Sequence, residues 1–154
     1  KVDFDEPKNI SARGGMLIGS CLAGVAFTKG LGLVHSISHM IGAEYNTQHG
    51  LTNAIILPAV MKFNLPYVGD KVRSISHAMD LKEASSDMIV QEIEQILDYV
   101  NIPRSLTEIG IPLECKKRIA KKAMLDSATA TNPRLAQIED IEELTEISIL
   151  AARG

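Results

Sequence analysis

Apolar residues recur every three to four positions along most of this chain, the spacing of one helix face. Residues 84–100 show it most clearly. Ile89, Ile93, Ile96, Leu97 and Val100 repeat on one side, Glu92, Glu94 and Asp98 fall on the other, and Pro103 ends the run. Residues 32–45, 51–63, 68–79, 115–127 and 138–151 read as further helices. The 51–63 segment contains Pro58, which removes one backbone hydrogen bond and predicts a kink. In 115–127, Ile119, Ala123 and Met124 point inward and Lys116, Lys117, Arg118, Lys121 and Lys122 outward. The last segment turns Ile141, Leu144 and Ser148 inward and carries Glu139, Asp140 and Glu142 near its start, where the helix dipole favours acids. Gln137 precedes it as a weak cap. Residues 7–27 form another helix in this reading, with Pro7 in its first turn. There Met16, Leu17, Ile18, Leu22 and Val25 wrap nearly all round, between small residues such as Gly14, Gly15, Gly19 and Gly24. That pattern predicts a central, buried, closely packed helix. Residues 28–31, 106–109 and 129–134 read as turns. No alternating strand pattern persists anywhere, so the expected class is all-α, an irregular multi-helix bundle.

Composition narrows the function without naming it. The chain has 154 residues, 45% hydrophobic and 23% charged, which suits a single globular domain able to bury about two-thirds of its unfolded surface. The net charge of −3 leaves no footprint for nucleic acid. The basic run in 115–127 has no aromatic residue interleaved and reads as a solvated helix face. No stretch approaches a membrane span in this reading, and no signal peptide opens the chain. Cys21 and Cys115 stand far apart without CxxC spacing and read as free thiols of a reducing cytoplasm.

Candidate chemistry is concentrated between residues 30 and 66. Three of the 4 histidines, His35, His39 and His49, lie there. His35 and His39 are four apart and share a helix face. His49 follows Asn46-Thr47-Gln48 and precedes Gly50, which reads as a loop entering the next helix. Histidine is the usual side chain for holding a divalent metal or moving a proton near neutral pH. The ordinary alternative is a set of hydrogen-bonded core histidines. A zincin motif is excluded because Ser36, not Glu, follows His35. Gly30-Leu31-Gly32 is no dinucleotide fingerprint, since His35 stands where the third glycine belongs. His77 has no neighbouring histidine and reads as a surface or structural residue.

The ordered run Gly-Leu-Gly-Leu-Val-His, Ser-His, Gly-Ala-Glu-Tyr-Asn-Thr-Gln-His-Gly, Asn-Ala-Ile-Ile-Leu-Pro resembles the second signature of the iron-containing alcohol dehydrogenases, relatives of glycerol dehydrogenase and dehydroquinate synthase. The resemblance implies that residues 1–154 are a single helical metal-binding domain, the C-terminal half of the dehydroquinate synthase-like fold. The family's N-terminal nucleotide-binding domain has no counterpart in this sequence, which opens on Lys1, so a domain fragment is expected. In the family one Asp and three His hold the metal, and two of those positions match His35 and His49. His39 matches a histidine beside the nicotinamide, outside the metal shell, and is implied in catalysis as an orienting or proton-relay group. Phe27 matches an aromatic wall of the substrate pocket, although the turn from Phe27 to Gly32 is one residue shorter than the usual pattern.

The implied activity is that of the metal-binding half of an NAD(P)-dependent alcohol dehydrogenase. The metal, Fe(II) or else Zn(II), polarises an alcohol or carbonyl oxygen, and NAD or NADP is bound mainly by the absent half. A polyol dehydrogenase or lyase of the same superfamily, or a helical module with structural histidines, is the alternative. The partners expected are a small alcohol or aldehyde, the missing domain and further copies in a homo-oligomer, with no nucleic acid and no membrane.

Overall fold

The computed structural model describes residues 1–151. The chain divides into two compact units, Lys1–Gly30 and Leu31–Gly154.

The first unit holds α1 (Val2–Asp5), α2 (Ile10–Ala26) and a single 3₁₀ turn, Phe27–Lys29. The long helix begins at Ile10 rather than at Pro7, because Asn9 caps it: its side chain accepts the Ala12 N–H at 3.0 Å. No residue of α2 is buried; Ile10 is 85% and Leu17 73% exposed. The expected central, buried helix is therefore not found. A helix apolar on every side needs cover on every side, and this unit offers only α1 and one turn. A Cβ added at Gly14, Gly15, Gly19 or Gly24 would meet nothing within 4 Å, so these glycines make no close helix approach. Residues Ile10–Lys29 are also long and apolar enough, by length and composition, to cross a membrane, which corrects the sequence reading that no stretch approaches a span.

The second unit is built from α3 (Gly32–Tyr45), α4 (His49–Asn64), α5 (Lys71–Ala78), α6 (Ser86–Tyr99), α7 (Lys116–Ala123) and α8 (Ile138–Ala151), joined by short 3₁₀ turns. No strand occurs among the described residues. The class is all-α, as the periodicity requires. Leu33, Ile37 and Ile41 of α3 meet Ile55, Ile56, Ala59 and Val60 of α4, Ile119, Ala120 and Ala123 of α7, and Ile141, Leu144 and Ile149 of α8 in one core. Each of the Leu, Ile and Val side chains contributes about 1.5–3 kcal/mol on burial. A smaller cluster, Leu65, Ile89 and Val90, joins α6 to the end of α4 and to α5. Pro58 is buried inside α4, and the helix runs on past it to Asn64.

Helix ends follow local side chains more than the hydrophobic pattern. Gln48 accepts the Leu51 N–H through Oε1, which starts α4 at His49 and brings that histidine out of the expected loop. Helix α7 stops at Ala123, short of the expected 127. Thr129 Oγ1 donates to the Ala123 carbonyl at 2.7 Å, and the Ala128 N–H donates to Asp126 Oδ1 at 2.8 Å, turning the chain. Met124 thus lies past the helix end and is exposed, not inward. Gln137 does not leave α8 uncapped: Asp140 Oδ2 reaches back to accept the Gln137 N–H at 2.7 Å, one half of a capping box. Three of the basic residues of α7 are paired. Lys116 meets Glu142 and Glu146, and Arg118 and Lys122 both meet Glu44.

Candidate metal centre

The histidine helix α3 is fixed at its first turn from a distance in sequence. Its opening N–H groups have no partner within the helix. Leu31 N–H and Gly32 N–H donate to Thr131 Oγ1 at 3.1 and 3.4 Å, and Leu33 N–H donates to Asn132 Oδ1 at 3.2 Å. Asn132 and Asn64 exchange two amide hydrogen bonds, at 3.0 and 2.7 Å. The Arg134 guanidinium lies 3.7 Å over the Phe63 ring. The loop 131–134 therefore locks the start of α3 to the end of α4. Gly32 has φ +71°, and a Cβ there would stand 2.9 Å from Asn132 Oδ1, so only glycine fits.

From that anchor α3 projects His35 and His39 on one face, and α4 presents His49 in its first turn. The three rings form a near-equilateral triangle. Centroids are 5.7 Å apart for His35–His39, 5.3 Å for His35–His49 and 5.5 Å for His39–His49. The His39 and His49 planes are nearly parallel, 15° apart. The structure thus gathers all three histidines singled out in the sequence.

A residue the sequence reading passed over sits between them. Asn53 follows His49 by four positions on α4, and its Nδ2 lies 3.3 Å from His35 Nε2 and 3.0 Å from His49 Nε2. Its Oδ1 accepts the Ser38 hydroxyl at 2.5 Å, which directs the amide nitrogen toward the rings. An amide N–H can only donate, so both Nε2 atoms accept, and two lone pairs converge on one point. That is the donor set a divalent cation requires: neutral imidazoles presenting the same nitrogen. Burial pushes the His35 pKa down, reinforced by the charges of His49 and His39 and opposed by the Leu31 backbone and Asp126. Near neutral pH His35 is thereby held in the ligand form. Among the described residues no group of three or more His, Cys, Asp or Glu side chains is arranged to hold a metal, so the chain presents two converging donors, not a closed site.

His39 makes a different contact. Its Nδ1 lies 3.0 Å from Asp126 Oδ2, with the side chains 35% and 14% exposed. Asp126 is 87 residues away in sequence, and no local motif announces it. Asn53 had a faint signal in its helical spacing from His49. Phe27 belongs to the first unit, in the 3₁₀ turn after α2, 52% exposed. His77 is exposed on α5, as its isolation suggested.

Comparison with known proteins resolves the lineage. The model of the Fe-containing alcohol dehydrogenase family, C-terminal, matches residues 2–149. This chain belongs to that family. It is 40% identical over 136 residues to lactaldehyde reductase of Escherichia coli (strain K12), covering 84% of this chain and 36% of that protein. It is 35% identical over 149 residues to the NAD-dependent methanol dehydrogenase of Bacillus methanolicus, covering 89% and 38%. Among solved structures, 1,3-propanediol oxidoreductase superposes with a TM-score of 0.88 at 28% identity, over 92% of this chain and 39% of that one. The chain thus spans little more than a third of the length of these relatives, and its all-α fold is that of the matching portion of 1,3-propanediol oxidoreductase.

Proposed function

We propose that this chain is the metal-binding half of an NAD(P)-dependent alcohol dehydrogenase, acting on a small alcohol or its aldehyde. The observation that carries this reading is the convergence of His35 Nε2 and His49 Nε2 on one point, 3.3 and 3.0 Å from Asn53 Nδ2. In this reading His35 and His49 are two of the ligands of Fe(II), or of Zn(II) as the second choice, since imidazole suits both. The bound ion supplies Lewis-acid polarisation of an alcohol or carbonyl oxygen during hydride transfer to or from nicotinamide.

The chain's own residues do the rest. Without an ion, Asn53, oriented by Ser38, donates to both Nε2 atoms and keeps them unprotonated and aimed together; a bound cation would take over those lone pairs from the Asn53 amide. His39, engaged at Nδ1 by Asp126, keeps Nε2 for orienting the reactants or passing a proton. For Phe27 the family resemblance alone supports a role as an aromatic wall of the substrate pocket. NAD or NADP is held mainly by a nucleotide-binding half, which provides the remaining metal ligands. That half and further copies in a homo-oligomer cover apolar surface such as that of α2. Two free cysteines, Cys21 and Cys115, suit the cytoplasm.

The test is hydride transfer by the intact protein, followed as NAD(P)H absorbance with short alcohols and aldehydes, before and after chelation and after Fe(II) or Zn(II) is returned. Turnover lost on chelation and restored by metal supports the reading. Undiminished turnover in the chelated protein overturns it.

A further inference from the structure

We infer that Asp126 is a positioning residue for the hydride-transfer chemistry, fixing the proton of His39 on Nδ1 and so leaving Nε2 as its only reactive nitrogen. The inference rests on the function proposed above. The carboxylate is held at both oxygens. Oδ2 lies 3.0 Å from His39 Nδ1, and Oδ1 accepts the Ala128 N–H at 2.8 Å. Its backbone is held as well: Asp126 N–H donates to the Ala123 carbonyl at 3.0 Å, and Thr129 N–H donates to the Asp126 carbonyl at 3.0 Å. Asp126 therefore sits in the turn that ends α7 as a preset acceptor, and it is 14% exposed.

An ionised carboxylate only accepts hydrogen bonds, so a neutral His39 facing it must carry its proton on Nδ1. The second constraint on the ring is its near-parallel packing on His49, 15° between planes. Together they set both the tautomer and the plane of His39 relative to a residue proposed to hold the metal. A relay histidine needs this, because the wrong tautomer presents N–H where a lone pair must receive a proton.

Asp126→Asn separates positioning from mere support. The asparagine carbonyl can still accept from Ala128 N–H, while its amide donates to His39 Nδ1 and drives the proton to Nε2. The expected result has three parts. The ¹⁵N–¹H correlation spectrum of His39 changes from the Nδ1–H to the Nε2–H pattern. Metal content of the intact protein stays at the wild-type level. Its kcat falls about 10²–10⁴-fold with KM unchanged within about twofold. Asp126→Glu, which keeps the carboxylate, restores the Nδ1–H pattern and part of kcat.

An unchanged tautomer overturns the proposal. So does a switched tautomer with wild-type kcat, or a fall in kcat that only tracks lost metal. If the wild-type protein transfers no hydride under any loading, the proposed function fails. The tautomer in the two proteins then still decides whether Asp126 positions His39.

Discussion

Replacing Gly32 by alanine perturbs the anchor on which the histidine helix depends. Two costs follow from the structure. Gly32 sits at φ +71°, a left-handed conformation that costs an L-residue about 1–2 kcal/mol. The new Cβ would also stand 2.9 Å from Asn132 Oδ1. That oxygen accepts from Leu33 N–H and from Asn64 Nδ2, so moving it weakens two hydrogen bonds worth about 0.5–1.5 kcal/mol each. The expected loss is up to about 2–5 kcal/mol in all. Urea denaturation followed by far-ultraviolet circular dichroism reads it as a lower midpoint at unchanged slope. Asn132→Ala removes the acceptor and should make the second cost largely disappear from the double variant, a coupling of about 1 kcal/mol or more. A Gly32→Ala protein within about 0.5 kcal/mol of wild type would refute this account of the α3 start.

Further outcomes follow from burial and from charge. Ile37→Ala, in the middle of the core at 0% exposure, should cost about 2–5 kcal/mol. Leu125→Ala, at 87% exposure, should stay within about 0.5 kcal/mol; equal effects in denaturation midpoints would contradict the core as described. In the metal-free protein, burial and the neighbouring histidines lower the His35 pKa. Its neutral form is therefore favoured by folding, a contribution complete above about pH 6.5 and lost as pH falls from there through the folded-state pKa. The urea midpoint should drop as pH falls below about 6.5, and drop less in His35→Gln. Identical drops in both proteins would rule out His35 as a source.

The helices carrying the site were legible because their signals are local. The His35–His39 spacing and the isoleucine ladder of 89–97 each sit within one element. The class and the gathering of three histidines followed from those patterns and from the resemblance they carry. Three features were not legible, each for a physical reason. The start of α4 at His49 depends on Gln48 folding its side chain onto the Leu51 N–H, a cap that a glycine-flanked loop reading overlooks. The Asp126 partner of His39 is brought in by the turn after α7, which exists because Thr129 and Asp126 bond the backbone there. The exposure of α2 is invisible to periodicity, which registers that a helix is apolar all round without saying what covers it.

The central claim is that His35 and His49, and not His39, hold the metal. The most direct measurement is a titration of the intact, chelator-stripped protein with Co(II), read by its ligand-field absorption, beside His35→Ala, His39→Ala and His49→Ala. The account predicts that the wild type and His39→Ala bind with similar affinity, while His35→Ala and His49→Ala each lose tight binding, about 10²-fold or more. Loss of binding in His39→Ala equal to the other two, or tight binding retained when His35 or His49 is removed, would contradict it.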